Sequence, residues 1–337
     1  MKPFAELSYS GQIKRLKRLA QSALLKYNLG ESRLVCLSHG ENTTFKVEKE
    51  PNLTNFWYVL RIYRAGKHDN AAIHSELLWL LSLRNNTALE VSKTVVASDG
   101  SQIVTSEALG VPEARYCTLS HWLPGRFLNA GLNAKAVERM GIFLAHLHQS
   151  NQQFTPPLGF VRPRFDEEGL LGTPIIPIEC KLPVSQSDRA VLEAATKKIR
   201  ASMQYLSEED DLFGLIHGDL HCANCKFYRG KIQVFDFDDC GWGYYLYDLA
   251  VTLYYLRHRS NYIVLRKVLL DSYQQIRSLP KQYESCLEAL IAARRLHLLR
   301  DLLQRQDNPK LRDLTPKYIQ DSIADISKFL DITVDRR

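Results

Sequence analysis

The 337-residue chain contains no apolar run approaching the ~18 residues that cross a bilayer, so membrane insertion is not expected. Its first residues, Met1-Lys2-Pro3-Phe4-Ala5-Glu6, lack the apolar core of a secretory signal. It has no even set of cysteines. Seven thiols in a chain too long to need stapling point to a reduced compartment, and the expected location is the cytoplasm. Neither an internal repeat nor a low-complexity tract occurs, and 17 Gly and 13 Pro exclude a collagen-like or disordered chain. The chain also lacks a dominant charge sign. Lys and Arg number 44 against 37 Asp and Glu, a net of +7, which suits phosphorylated molecules, nucleic acid or an anionic membrane surface without choosing among them.

What is present is an ordinary globular composition, 45% hydrophobic and 24% charged, at a length that fits one large or two ordinary domains. Residues 12–28 have helical spacing, with Ile13, Leu16, Ala20, Leu24 and Tyr27 on one face and Lys14, Arg15, Lys17 and Arg18 on a solvated one. Strand-like runs follow at Leu34–Ser38, Thr44–Glu48 and Phe56–Tyr63. A helix is expected over 71–84, then strands at Lys93–Ala97, Gln102–Glu107 and Tyr116–Leu123. From about residue 134 the character changes. Helices are expected over Ala134–Gln149 and 187–205, separated by a Pro- and Gly-rich loop over 154–187. Strands are expected at Phe213–His217 and Ile232–Phe237. Beyond Tyr247 the chain reads as helices broken near Pro280 and Asn308-Pro309. The expected fold is α+β, a small β-rich N-terminal lobe (1–122) and a larger, mainly helical C-terminal lobe (123–337).

The chemistry concentrates in Leu215-Ile216-His217-Gly218-Asp219-Leu220-His221-Cys222-Ala223-Asn224, followed by Asp236 within Val234-Phe235-Asp236-Phe237-Asp238-Asp239. The pattern has the logic of phosphoryl transfer. One carboxylate orients or accepts the proton of an attacking hydroxyl, while an amide oxygen and a second carboxylate hold Mg²⁺ against nucleotide phosphates. Asp219 and Asn224 match the Asp-x-x-x-x-Asn spacing of a kinase catalytic loop, and Asp236 falls where Asp-Phe-Gly has its Asp. Two adjacent strands ending in these loops would bring the three groups together. Other readings are weaker. His217 and His221 have zinc-helix spacing, but Gly218 and the preceding strand oppose a helix. Cys222 and Cys225 form a lone Cys-x-x-Cys and read as incidental thiols. Asp236, Asp238 and Asp239 lack the glycine-bearing loop of a calcium site.

These residues resemble the signature of the aminoglycoside phosphotransferase-like superfamily, which includes aminoglycoside, choline, homoserine and hydroxylysine kinases and the bacterial stress-response kinase A. The resemblance extends to Tyr58-Val59-Leu60-Arg61-Ile62-Tyr63-Arg64, Phe160-Val161-Arg162-Pro163-Arg164-Phe165-Asp166 and Gly243-Tyr244-Tyr245-Leu246-Tyr247-Asp248-Leu249-Ala250, and covers about residues 30–330. It implies a bilobal protein-kinase-like fold with ATP, or GTP as the alternative, and Mg²⁺ between the lobes. Asp219 would be the catalytic base, and Asn224 and Asp236 the Mg²⁺ ligands. Arg61, in place of the family's usual Lys, would contact phosphates and pair with Glu76. Gly40, Asn42 and Thr43 would lie in the phosphate-covering turn, and Ser120, Trp122 and Leu123 in the hinge beside adenine. Trp122, like Tyr116, also reads as a core aromatic. His217, His221 and Asp248 would support the catalytic loop, with Asp238 or Asp239 near metal or substrate.

The expected activity is transfer of the ATP γ-phosphate to a hydroxyl of a small molecule of amino-alcohol, homoserine, choline or aminoglycoside type. Asp236 is followed within about a dozen residues by Asp248 and an apolar helix, leaving no activation segment ending in Ala-Pro-Glu for a polypeptide substrate. The alternatives are a Ser/Thr protein kinase of the stress-response kinase A type and a nucleotide-binding pseudokinase. A nucleic-acid partner is not expected, because no aromatic-and-basic RNA signature occurs.

Overall fold

The computed structural model of the chain describes residues 2–50, 53, 56–129, 131–172, 175–176, 184–207, 210–305 and 309–331. In chain order the first elements are α1 (Tyr9–Leu25), β1 (Arg33–His39), β2 (Thr43–Glu48), β3 (Trp57–Ile62), α2 (Asn70–Asn86), β4 (Glu90–Val91), β5 (Thr94–Val95), β6 (Ile103–Ser106) and β7 (Arg115–His121). They continue as α3 (Ala134–Ser150), β8 (Arg164–Phe165), α4 (Glu167–Leu171), α5 (Gln186–Ser207), β9 (Phe213–Ile216), β10 (Cys225–Tyr228), β11 (Lys231–Val234) and β12 (Gly241–Tyr244). The last helices are α6 (Tyr245–Leu256), α7 (Tyr262–Gln274), α8 (Tyr283–Gln304) and α9 (Pro309–Asp331). The fold class is α+β, as the sequence implies. Among the described residues no helix is long and apolar enough to cross a membrane.

Two compact units are present. Unit 1 comprises residues 1–127, 153–161 and 226–238, and unit 2 comprises 128–152, 162–225 and 239–337. The division is therefore not a single cut, because two later segments belong with the first unit.

In unit 1, Ser8 caps α1 by accepting from the Gly11 amide, which starts the helix before the position its apolar spacing suggests. The left-handed Asn28 (φ 55°) follows its end. The stripe Leu16, Leu19, Ala20, Ala23 and Leu24 is buried against an antiparallel sheet in the order β1-β2-β3-β7-β5, with β6 also paired to β7. Strand alternation turns Phe45, Val47, Leu60 and Ile62 into this core and leaves Lys46, Val59 and Arg61 for the opposite face. Of the basic face of α1, Lys14, Lys17 and Arg18 are exposed as expected. Arg15 instead donates to the carbonyls of Gly110 and Lys2, both at 2.7 Å. A second sheet of unit 1 runs β10-β11-β4. Its hairpin turns through Arg229 and Gly230, with φ of 47° and 84°.

In unit 2, β12 pairs antiparallel with β9 and parallel with β8. Around this small sheet α3 packs on α7, α6 on α8, and α5 and α9 on α8. Gly141 on α3 permits the close approach of α7, since a Cβ there would lie 2.6 Å from the Leu269 carbonyl.

The expectation of adjacent strands leading to Asp219 and Asp236 is not met. β9 pairs with β12, while β11 pairs with β10 and β4. The cause is β12, whose Gly-Trp-Gly-Tyr carries no strand signal and yet takes the edge of β9. The Pro- and Gly-rich loop holds β8 and α4, while 173–174 and 177–183 lie outside the described residues. Pro280 falls between α7 and α8. Asn308 lies outside the described residues, and α9 begins at Pro309.

Phe45 has no exposed surface at the centre of the unit 1 core. Phe45→Ala should cost about 3–5 kcal/mol of stability by urea denaturation. A loss below about 1 kcal/mol would mean that α1 and the sheet are not packed around it.

Candidate active site

The expected site residues fall into two sets, one in each unit. In unit 1 the organising group is Arg61 on β3. Its guanidinium reaches Glu76 on α2 (3.0 Å), Asp236 after β11 (2.6 Å) and Asp238 (3.6 Å). Burial alone would push the Arg61 pKa down. Glu76, Asp236 and Asp238 outweigh it and carry the pKa well above its usual value. Tyr63 also donates to Glu76, at 3.4 Å. Asp236 is left-handed (φ 65°), a conformation that Asp tolerates better than most residues, and its side chain is 47% exposed. Asp238 is buried and receives Lys67 at 2.7 Å and His68 at 3.5 Å. Burial would raise the Asp238 carboxyl, but Lys67, His68 and Arg61 hold it well below the usual carboxylate range.

The turn between β1 and β2 is bound internally. The Asn42 side-chain oxygen accepts the Arg64 amide at 3.1 Å, and the Thr43 hydroxyl bonds His39 Nδ1 at 2.8 Å. A Cβ at Gly40 would meet nothing within 4 Å. In the expected hinge, Ser120 is opposite Val59 in the β3–β7 register. The next two amides are committed, His121 to the Lys93 carbonyl (2.9 Å) and Trp122 to the Trp57 carbonyl (3.0 Å). Lys226 Nζ donates to the Leu123 carbonyl at 3.0 Å.

In unit 2 the catalytic-loop sequence leaves β9 through Gly218, whose φ of 77° favours glycine. A Cβ there would lie 2.6 Å from the carbonyl of the half-buried Asp239. Asp248, in the first turn of α6 with no exposed surface, anchors this bend. Its carboxylate accepts the amides of His217 (2.8 Å) and Gly218 (2.7 Å) and faces His148 Nε2 (3.0 Å). His217 Nδ1 accepts the Asp219 amide at 3.2 Å, and His221 Nδ1 accepts the Ala223 amide at 3.1 Å.

Both oxygens of Asp219 are engaged. Oδ1 accepts from Arg294 and from the Tyr255 hydroxyl (3.4 Å). Oδ2 accepts from the Asn224 amide nitrogen (3.1 Å) and faces His221 Nε2 (3.4 Å). Burial would raise the Asp219 carboxyl, but Arg294 and the two histidines hold it well below the usual carboxylate range. Because Asn224 turns its nitrogen to Asp219, its side-chain oxygen is left as a hard donor. That oxygen in unit 2 and, taken by itself, the exposed carboxylate of Asp236 in unit 1 are each a hard oxygen donor of the kind Mg²⁺ prefers. Among the described residues no three His, Cys, Asp or Glu side chains form a ready metal cage. Nucleotide-bound Mg²⁺ needs none, since phosphates and water supply most of its ligands.

Sequence reasoning missed Arg294, Tyr255, Lys67, His68 and Lys226. Arg294 had a signal. It lies in Ala292-Ala293-Arg294-Arg295-Leu296, a cation within an apolar run, and is 3% exposed. A buried arginine requires a buried partner.

Asp248→Ala would strand two buried amides and His148. It should cost about 3–5 kcal/mol in urea denaturation. A change within about 1 kcal/mol would show that the bend holds without it.

Comparison with known proteins finds that residues 36–281 match the model of the phosphotransferase enzyme family. An uncharacterized protein of Deinococcus radiodurans is 32% identical over 227 residues, 67% of this chain and 62% of that protein. The chain thus spans about three-fifths of that relative. The amicoumacin kinase of Bacillus subtilis is 23% identical over 245 residues, 71% of this chain and 67% of the relative. Among solved structures, a microcompartment-associated aminopropanol kinase aligns with a TM-score of 0.81 at 28% identity, covering 94% of this chain and 98% of that one. An amicoumacin kinase in complex with AMP-PNP, Ca²⁺ and Ami aligns at 0.74 with 20% identity, covering 94% and 96%.

Proposed function

The chain belongs to the phosphotransferase enzyme family, and from that premise we propose that it is an ATP-dependent kinase acting on a hydroxyl of a small molecule, with amino-alcohols the first class to test. The observation that carries this reading is the setting of Asp219. It is a carboxylate fixed from one side by Arg294 and Tyr255 and from the other by Asn224.

In this reading Asp219 orients the acceptor hydroxyl for in-line attack and takes its proton. A carboxylate held this far below its usual range is a weak base, so it acts mainly by positioning until the oxygen begins to lose its proton in the transition state. Arg294 is a positioning residue that fixes Oδ1, and the acceptor hydroxyl would meet Oδ2 alongside Asn224 and His221. Asn224 in unit 2 and Asp236 in unit 1 would each offer an oxygen to Mg²⁺, which would supply positive charge to screen the nucleotide phosphates. Arg61 binds phosphate oxygens through its planar fork, steadied by Glu76. The aminopropanol and amicoumacin kinases among the similar proteins support a small acceptor. So does the short path from Asp236 to α6 at Tyr245.

The test is transfer of label from γ-labelled ATP to 1-amino-2-propanol, choline, homoserine, an aminoglycoside panel and generic protein substrates. Label should appear in a small molecule, and label in protein bands would replace this reading with the protein-kinase one. Asp219→Ala should lower kcat by about 10³-fold, and parental turnover in that folded variant would refute its role. Arg294→Met should lower kcat by about 10²-fold with the KM for ATP unchanged. A rise in KM alone would instead make it a nucleotide ligand. Asp236→Ala should abolish Mg²⁺-dependent nucleotide binding by calorimetry, and unchanged binding would remove it from the metal site.

A further inference from the structure

Lys226 is an unusual residue for its place. It follows Cys225 at the start of β10 and is 5% exposed, within unit 1. Its Nζ donates to the Leu123 carbonyl at 3.0 Å and lies 3.7 Å from the ring centre of Trp122. The rings of Phe127 and Phe235 stand at 5.1 and 5.9 Å. An ammonium carries three donors. Among the described residues the Leu123 carbonyl is the one oxygen recorded within hydrogen-bond reach of it, and aromatic faces supply the rest of its recorded contacts. Burying an ammonium with so few acceptors is costly unless a ligand completes its shell.

The backbone beside it adds to the asymmetry. The amides of His121 and Trp122 are committed to the Lys93 and Trp57 carbonyls. The Leu123 carbonyl receives Lys226. On the other side of the same aromatic pair, Lys46 lies 3.1 Å from the Trp57 ring centre and 5.2 Å from that of Trp122. The segment therefore presents a charged side-chain donor, flanked by aromatic surface, beside its backbone groups.

We propose that Lys226 makes the base subsite a reader of 6-oxopurines. The C6 oxygen of guanine or hypoxanthine accepts from Nζ, whereas the C6 amine of adenine would meet it donor to donor. Guanosine triphosphate then serves as phosphate donor at least as well as ATP. This rests on the reading above that residues 120–123 border the base, and it deepens that reading by naming the base.

The experiment is calorimetric titration of the full chain with ADP, GDP and IDP in the presence of Mg²⁺, which requires no knowledge of the acceptor. GDP and IDP should bind at least as tightly as ADP. Lys226→Met should weaken GDP and IDP by about tenfold while ADP stays within about threefold. ADP binding more than about tenfold tighter than GDP to the unaltered protein overturns the proposal and leaves the kinase reading standing. GDP binding without IDP overturns it too, by assigning selection to the 2-amino group. Equal weakening of all three by Lys226→Met has the same effect. Binding of none refutes the kinase reading and this proposal with it. The comparison of three nucleotides on the unaltered protein does not depend on how the variant folds.

Discussion

A carboxylate taken wholly out of water must be given donors, and Asp248 has the amides of His217 and Gly218 together with His148. That constraint reaches outward through unit 2. Two consecutive amides converge on one carboxylate only if the chain bends sharply between them, and Gly218 at φ 77° supplies the bend. The bend fixes where the backbone carries Asp219, and the His217 ring caps the Asp219 amide. Arg294, buried on α8, then meets a carboxylate whose position is already set. A loop that sequence reasoning treats as a motif is, physically, a short segment pinned to the first turn of α6.

Buried ion pairs do not recommend themselves on stability, because desolvation removes most of what attraction returns. Their concentration here calls for a different explanation. Arg294 with Asp219, and Arg61 with Glu76 and Asp238, are cheap to replace with apolar side chains of similar volume if only the fold matters. They hold charged groups in one orientation before any ligand arrives, which is what the proposed phosphoryl transfer would need when charge develops on a reacting oxygen. Arg61 shows why a guanidinium suits this position. A lysine ammonium is a point charge, whereas the planar fork of arginine reaches three carboxylates from two segments of chain at once.

Much of this was legible in the sequence, for identifiable reasons. The apolar stripe of α1 and the alternation of β2 and β3 are local patterns, and the core buries the residues they mark. Asp219, Asn224, His217 and Gly218 lie within eight residues, so spacing alone could suggest their grouping. Arg294 lies 75 positions from Asp219, and Tyr255 lies 36. Only the packing of α8 and α6 makes them partners, and no spacing rule spans that interval. The short strands failed differently. The Gly-Trp-Gly-Tyr of β12 and the lysine in β10 resemble loop or surface sequence, and each is a strand because of what it pairs with. Lys226 was invisible because a lysine reads as exposed until its surroundings are known.

The charge of the whole chain, +7, gives no hint of the balance around Arg61. Among the described residues Glu41, Glu76, Asp236 and Asp238 gather there around Arg61 and Lys67, with His68 beside them. Their burial is uneven. Glu76 and Asp238 are buried and matched by cations, whereas Asp236 keeps nearly half of its side chain in water. Exposed carboxylate surface next to neutralised neighbours is where a hard divalent cation gains most, because it brings opposite charge without displacing the pairs that hold the others. In the proposed reading, the phosphates of a nucleotide arriving without its metal would meet these carboxylates directly. In that reading metal and nucleotide would be coupled by electrostatics at Asp236, and Arg61, which bonds that carboxylate, links it to α2 through Glu76.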